Sequence, residues 1–510
     1  MSFKRSAGIL MPISSLPSPY GIGTLGKAAF DFVDFLVKAD QSYWQVLPIG
    51  PTSYGDSPYQ SFSSAAGNPY FIDLDILREE GLLEEDDLRK IHVEDPSYVD
   101  YGYLYATRFD LLYKAYLIGK DRYRDEFHSF VKENDVWLDN YAMFMAIKKY
   151  FGMRSWLEWD DQDIRFRKPE AMNRYREMLE DNISFYKFMQ YLFYKQYRAL
   201  KDYANKNKIR IIGDLPIYIA MDSCEIWAEP EQFQLNESDL IPKDVAGVPP
   251  DYFSKSGQLW GNPLYNWERM KQDGYRWWIE RIDRVSRYFD VLRIDHFRGF
   301  EEYWSIPYGE KTAINGKWVQ GPSSDFINVI KNWFSNLDII AEDLGIIDEK
   351  VEKLLKDSGF PGMKVLEFGM DPDGSSLHTP HHHVKNAVCY ISTHDNMPVM
   401  GYLATAKKKQ LDFAKLYYGL NEEEGYNYGF IRGGMSSVCD LFIAQIQDYL
   451  GLGQEATINV PGTLENWKWR LLKGQLSSSL CKKIAKLTYT YNRSREENRK
   501  KTTDKEQKTD

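Results

Sequence analysis

Four acids in this chain stand directly behind short apolar runs: Asp214 after Ile209–Gly213, Asp295 after Phe289–Ile294, Glu342 after Leu337–Ala341 and Asp395 after Ala387–His394. If those runs are parallel strands, each acid lies at a C-terminal strand end, where an α/β barrel gathers reactive groups from separate strands. Any one of them could instead be the N-cap of a following helix. Four together, far apart in sequence yet equivalent in the fold, are harder to explain as caps. Arg293 stands two residues before Asp295, so strand alternation puts both on one face. A cation there favours an ionised Asp295, as a nucleophile requires. His394 precedes Asp395 in Thr393–Asn396 and is placed to donate to a ligand hydroxyl. One acid kept protonated and another kept ionised is the equipment for glycosidic-bond chemistry through an oxocarbenium-like centre.

Other chemistries find less support. His381, His382 and His383 are adjacent, and adjacent side chains on a strand or helix do not converge on one metal ion. No Gly-rich phosphate loop, nucleophile elbow or HExxH motif occurs in a suitable context. The 4 cysteines are scattered without a CxxC pair, which excludes a readable disulfide framework or zinc site. No metal or cofactor motif is readable in these residues. The net charge of −10 argues against nucleic acid or a polybasic membrane surface as partner. There is no apolar run long enough to span a bilayer and no signal-peptide core behind Met1–Arg5, so a cytoplasmic protein is expected. Aromatic residues make up 15% of the chain, with Tyr at 36 exceeding Phe at 27. That surplus suits either a large aromatic core or a groove that stacks flat, hydroxyl-rich ligands.

The elements that must position these residues follow from periodicity. Apolar runs occur at 6–13, 44–48, 209–214, 289–295, 337–342, 363–368 and 387–395, with an eighth expected near Ile458-Asn459-Val460. Their alternation with helix-length stretches predicts a parallel sheet covered on both faces, and a (β/α)8 TIM barrel in particular. From about 75 to 205 helical periodicity takes over. Phe109, Leu112, Tyr113, Tyr116 and Leu117 share one face, as do Phe185, Phe188, Met189, Leu192 and Phe193. The expected organisation is a catalytic barrel over 1–492 with that mainly helical insertion, an active-site loop at about 247–262, and a polar, disordered tail over 493–510. The Gly/Pro/aromatic stretch Gly247–Gln258 is either a lid over the site or a plain surface loop.

Several motifs extend the reading: Ser57-Pro58-Tyr59-Gln60, Gly67-Asn68-Pro69-Tyr70, Gly213-Asp214-Leu215-Pro216, Gly247-Val248-Pro249-Pro250-Asp251-Tyr252-Phe253, Gln258-Leu259-Trp260-Gly261-Asn262-Pro263, Arg293-Ile294-Asp295-His296-Phe297-Arg298, Ala341-Glu342-Asp343-Leu344-Gly345, Thr393-His394-Asp395-Asn396, Pro461-Gly462-Thr463 and Asn466-Trp467. From about Ser6 to Arg470 the chain resembles the 4-α-glucanotransferases called amylomaltases or disproportionating enzymes, glycoside hydrolase family 77. The resemblance implies a barrel with inserted subdomains and no C-terminal β-sandwich. It implies Asp295 as nucleophile, Glu342 as general acid/base and Asp395 as transition-state stabiliser. Tyr59, Asp214, Trp260, Arg293 and His394 match substrate-contacting positions, with Ser57, Asp371 and Asn466 as further ones. The implied partners are α-1,4-glucans and maltooligosaccharides with glucose as acceptor, handled without a cofactor. Met397–Met400 and Thr457-Ile458 depart from the family pattern and bear on acceptor choice and loop rigidity. An α-amylase-type hydrolase and a catalytically silent glucan-binding protein are the alternatives, and the presence of all three acids speaks against the second.

Overall fold

A strand covered on both faces has to be apolar along its whole length, and Ser6–Leu10 is buried at every position. The computed structural model describes residues 3–53, 55–250 and 254–498. In chain order its strands are β1 (Ser6–Leu10), β2 (Tyr43–Gln45), β3 (Arg210–Leu215), β4 (Asp244–Val248), β5 (Gln258–Pro263), β6 (Val291–Ile294), β7 (Glu302–Pro307), β8 (Lys317–Gln320), β9 (Asp338–Ala341), β10 (Gly362–Val365), β11 (Ala387–Tyr390) and β12 (Leu441–Gln445). One 8-stranded sheet runs in the order β10-β11-β12-β1-β2-β3-β6-β9, and every pairing in it is parallel. Its outer strands meet where Ala341 N donates to Pro361 O at 3.0 Å. Beside that contact Met363 N donates to the Asp343 side chain at 2.6 Å, so a carboxylate bridges the seam of the (β/α)8 barrel. Close strand approach explains Gly8, where a Cβ would sit 2.6 Å from Tyr43 Cβ and 2.7 Å from Ile443 Cδ1.

Between β2 and β3 the chain forms helices, from Leu74–Glu79 to the 27-residue helix Glu180–Lys206. That long helix buries Phe185, Phe188, Met189, Leu192 and Phe193, the face its periodicity marks. Its partner Tyr101–Arg122 buries Leu112 and Tyr116, with the Tyr116 ring 5.7 Å from that of Phe188. Tyr113 and Leu117, on the same periodic stripe, remain 37% and 48% exposed because only part of the stripe is covered. Trp44, Trp156, Trp159, Trp227 and Trp278 are fully buried, so much of the aromatic surplus is core. Among the described residues no helix is long and apolar enough to cross a membrane.

Three expectations need correction. The eighth barrel strand is Leu441–Gln445, not Ile458–Val460; its apolar run is too short for periodicity to separate it from a helix segment. Residues 247–262 are not one loop. Their ends are β4 and β5 of an antiparallel sheet, ordered β5-β4-β7-β8, and of the residues between the two strands Asp251–Phe253 lie outside the described residues. The polar end of the chain does not come free at 493. Arg493 is buried and donates to the carbonyls of Ser6, Met435, Ser437, Cys439 and Asp440, because a guanidinium can satisfy several backbone carbonyls at once. Residues 499–510 lie outside the described residues.

Candidate active site

Strand register assembles the charged centre. Asp214 on β3 pairs with Arg293 on β6, so the two side chains emerge side by side. Arg293 Nη1 reaches both oxygens of Asp214 at 2.7 Å and Asp295 Oδ1 at 3.1 Å. The next rung joins Ile294 to Ala341 on β9, which puts Asp295 and Glu342 at equivalent positions one residue further along. Backbone bonds continue past the strand ends: Asp295 N donates to Leu215 O and Glu342 N to Ile294 O, both at 3.0 Å. The two acids therefore sit on rigid backbone. None of the four strand-end acids serves as a helix N-cap.

The arginine and its partner form a buried floor, with side-chain exposures of 3% for Arg293 and 0% for Asp214. Asp295 and Asp395 keep 26% and 40%, so their carboxylates face an open cleft. Tyr59, from the segment after β2, donates its hydroxyl to Asp214 Oδ2 at 2.7 Å and meets His394 Nε2 at 2.7 Å. Because the phenol proton is already committed, its oxygen accepts from His394, which places a proton on Nε2. The same nitrogen lies 3.2 Å from Asp395 Oδ2. The Tyr59 and His394 rings stack at 5.3 Å.

Glu342 takes both its side-chain bonds from backbone: Oε2 accepts from His296 N at 2.8 Å and Oε1 from Leu344 N at 2.6 Å. His296 adopts φ 52°, a left-handed conformation for a residue with a Cβ, and this turn aims its N–H at Glu342. Trp260 on β5 packs edge-on against the His296 ring at 4.9 Å, and its Nε1 donates to Gln258 Oε1 at 3.1 Å. It is partly exposed rather than core.

The charges are well separated in proton affinity. Burial pushes Glu342 up to about 8, with Arg293 pulling down and the Asp295 charge adding to the rise. Burial also raises Asp295, but contact with Arg293 restrains it to about 6. For Asp395 the upward pull of burial is overcome by His394 and the Asn459 amide, which bring it down to about 2. Burial opposes the charge on His394, yet Asp395 carries it above its ordinary value.

Of the residues expected at the site, Asp295, Glu342, Asp395, Tyr59, Asp214, Arg293 and His394 form one cluster, with Trp260 beside it. The other three do not join it. Ser57 Oγ accepts from Tyr59 N at 3.2 Å and so shapes the turn that carries Tyr59. Asn466 spends its side chain inside its own loop, accepting from Val460 N and donating to the carbonyls of Val460 and Thr463. Asp371 is exposed in the segment after the turn Leu366–Gly369, with no contact to the cluster among the described residues. The His381–His383 triplet also disperses: His381 meets Tyr417, His382 the Ser376 carbonyl, and His383 Ser437 and the His378 carbonyl.

Two residues went unnoticed as site components. Asn459 donates to Asp395 Oδ1 at 2.6 Å across 64 residues of sequence, a separation no spacing rule links. Trp467 brings its ring within 5.7 Å of Tyr59 and 6.2 Å of His394. The Asn-x-Pro-Gly turn signal was the one hint that residues 459–462 are a loop rather than a strand.

A family model described as 4-alpha-glucanotransferase, glycoside hydrolase family 77, matches residues 11–475. A 4-alpha-glucanotransferase of Clostridium butyricum is 49% identical over 486 residues, covering 95% of this chain and 100% of that protein. The chloroplastic/amyloplastic enzyme of that name from Solanum tuberosum is 38% identical over 96% of this chain and 87% of its own. Among solved structures, an amylomaltase from Streptococcus agalactiae in complex with acarbose superposes with a TM-score of 0.94 at 42% identity, covering 96% of this chain and 100% of that one.

Proposed function

The chain belongs to glycoside hydrolase family 77, the 4-alpha-glucanotransferases, and from that premise we propose how its own residues carry the reaction. It is a 4-alpha-glucanotransferase that moves segments of α-1,4-glucan between chains by a retaining double displacement. Glu342, protonated at neutral pH, gives its proton to the glycosidic oxygen while the Asp295 carboxylate attacks the anomeric carbon. The C–O bond to the leaving sugar breaks, that fragment departs with its new hydroxyl, and a glucosyl ester to Asp295 remains. Glu342, now ionised, takes the proton from the 4-hydroxyl of an incoming sugar, whose oxygen displaces Asp295. Glucose or another α-1,4-glucan serves as acceptor.

The observation that carries this reading is the pair Asp295 and Glu342 on adjacent strands with divergent proton affinities. Arg293 favours the ionised nucleophile, and burial favours the protonated acid. Asp395, strongly ionised and facing the cleft, stabilises the positive charge that develops at the sugar and accepts from its hydroxyls. His394 holds the Tyr59 hydroxyl and stands beside the Asp395 carboxylate, and Tyr59 offers a ring to the sugar. Trp260 stands on the Glu342 side, where the leaving group departs and the acceptor arrives.

Incubation with maltotriose tests the reading. Transfer yields glucose and longer maltooligosaccharides while the number of reducing ends stays constant. A dominant net gain of reducing ends identifies a hydrolase instead. Asp295→Asn in a folded protein should abolish both product types, a loss of roughly 5–8 kcal/mol in barrier terms. Near-normal turnover by that variant rejects the assignment of the nucleophile.

A further inference from the structure

Asp295 and Glu342 are fixed by backbone bonds at their strand ends, but Asp395 is not. It lies five residues beyond Tyr390, the last residue of β11, in a turn where its own N–H donates to Thr393 Oγ1 at 3.3 Å. Its carboxylate is 40% exposed and is held by one side-chain hydrogen bond and one ion pair instead. His394 Nε2 stands 3.2 Å from Oδ2, and Asn459 Nδ2 donates to Oδ1 at 2.6 Å. The Asn459 backbone N–H also donates to His394 O at 3.1 Å, tying the two holders to each other.

Asn459 arrives on a strap, Ile458–Trp467, whose tip from Val460 to Glu465 is exposed and whose base is buried. The base is clipped shut by Trp467 N donating to Ile458 O at 2.7 Å and by the Asn466 side chain bridging to Val460. Trp467 takes φ 66°, a left-handed conformation that costs a residue with a Cβ roughly 1–2 kcal/mol. Contacts must hold it there. Its carbonyl accepts from the Tyr101 hydroxyl at 3.0 Å, and its ring lies against Tyr59 and His394. The residue that closes the strap thus packs on the same histidine that holds the other oxygen of Asp395.

We propose that Asn459 is a positioning residue for glucan transfer: delivered by the closed strap, its amide fixes the Asp395 carboxylate so that it stays ionised and aimed at the sugar. The inference rests on the role given to Asp395 above. His394 is an ion-pair neighbour whose Nε2–H is already turned to the Tyr59 oxygen, so among the described residues the Asn459 amide is the hydrogen bond that keeps the carboxylate from swinging about its Cβ–Cγ bond. The charged and titratable groups facing Asp395 are His394, Arg293, Asp295 and Tyr59. Of these, the first two favour its charge and Asp295 opposes it. Asn459 adds a donor without adding a charge of either sign.

The test uses the full chain with maltotriose as donor and acceptor, following kcat and KM across pH together with thermal melting. Asn459→Ala should lower kcat about 10- to 100-fold, the worth of a hydrogen bond to a charged group, with a much smaller change in KM. Asn459→Asp is nearly isosteric and places a second carboxylate against Asp395. The pair, facing each other across the present 2.6 Å contact, then retains a proton well above the ordinary carboxylate range. As this protonation overtakes the one set by Asp295, the acidic limb of kcat/KM should move up by about one pH unit or more. A folded Asn459→Asp enzyme whose acidic limb and kcat stay at wild-type values overturns the proposal. So does a lowered melting temperature with an unmoved acidic limb, the signature of a merely structural asparagine. Asp395→Asn separates the two levels: if it is inactive while both Asn459 variants behave as wild type, only this inference falls. If it remains active, the reading of Asp395 falls as well.

Discussion

Replacing Arg293 with Met removes a cation that touches both Asp295, the proposed nucleophile, and Asp214 in the buried floor of the site. Its Nη1 stands 3.1 Å from Asp295 Oδ1. At an effective dielectric constant near 20, two unit charges at that spacing attract by about 5 kcal/mol. The 26% exposure of Asp295 lets water screen part of this, so a retained value of about 3 kcal/mol, or roughly two pKa units, is the working figure. Asp295 then moves from about 6 towards roughly 8, and its ionised fraction at pH 7 falls by about ten-fold. The acidic limb of kcat/KM should rise with it. The same substitution strands Asp214 without its partner in a fully buried position, which costs about 3–5 kcal/mol of stability. The double variant Arg293→Met/Asp214→Asn removes that stranded charge. It should recover much of the melting temperature while leaving the acidic limb displaced, because Asp295 still lacks its cation. The assay is the initial rate of glucose release from maltotriose across pH, with a melting curve for each variant. A folded Arg293→Met enzyme with wild-type turnover and an unmoved acidic limb refutes the electrostatic account of Asp295.

Glu342 has its proton affinity raised in the folded state, so it is protonated below about 8, and transfer should fail as pH rises through that value. Glu342→Gln should abolish transfer from maltooligosaccharides but spare the first step with glucosyl fluoride, which needs little protonation; equal losses on both donors argue against Glu342 as proton donor. Trp260→Ala should raise hydrolysis relative to transfer by roughly ten-fold, about 1–2 kcal/mol in acceptor capture, and a lowered melting temperature with unchanged partition marks a packing role instead. Asp343→Ala leaves Met363 N–H unpaired at the barrel seam and should cost about 1–3 kcal/mol of stability, measured by denaturant unfolding.

The reactive strand ends were legible because a parallel barrel writes itself into sequence as apolar runs ending in polar residues. Asp214, Arg293, Asp295 and Glu342 all sit on or directly beside such runs, and the register of β3, β6 and β9 brings them together. Where elements broke that pattern, the reading failed. Leu441–Gln445 is a short run that lacks an acid at its end, and β4, β5, β7 and β8 form a small antiparallel sheet whose two hairpins are joined only by the long-range pairing of β4 with β7. Asn466 carries a polar side chain in a matching motif, yet its hydrogen bonds close within its own loop. A motif preserves residue types; it does not say which way a side chain is turned.

By itself, then, the sequence determined the architecture, the reaction class and the acids that line the barrel rim, since strand-end placement and paired carboxylates are local properties of the chain. Arg293, two residues before Asp295, already marked the acid to be kept ionised; tertiary structure supplied the burial that lifts Glu342 to about 8, above Asp295 at about 6, because that burial arises only when separate strands meet. It also decided that Asp395 is held by Asn459 and His394, and that Trp467 packs on Tyr59. Those contacts join segments far apart along the chain, and their geometry is set by packing, which no local pattern of residues encodes.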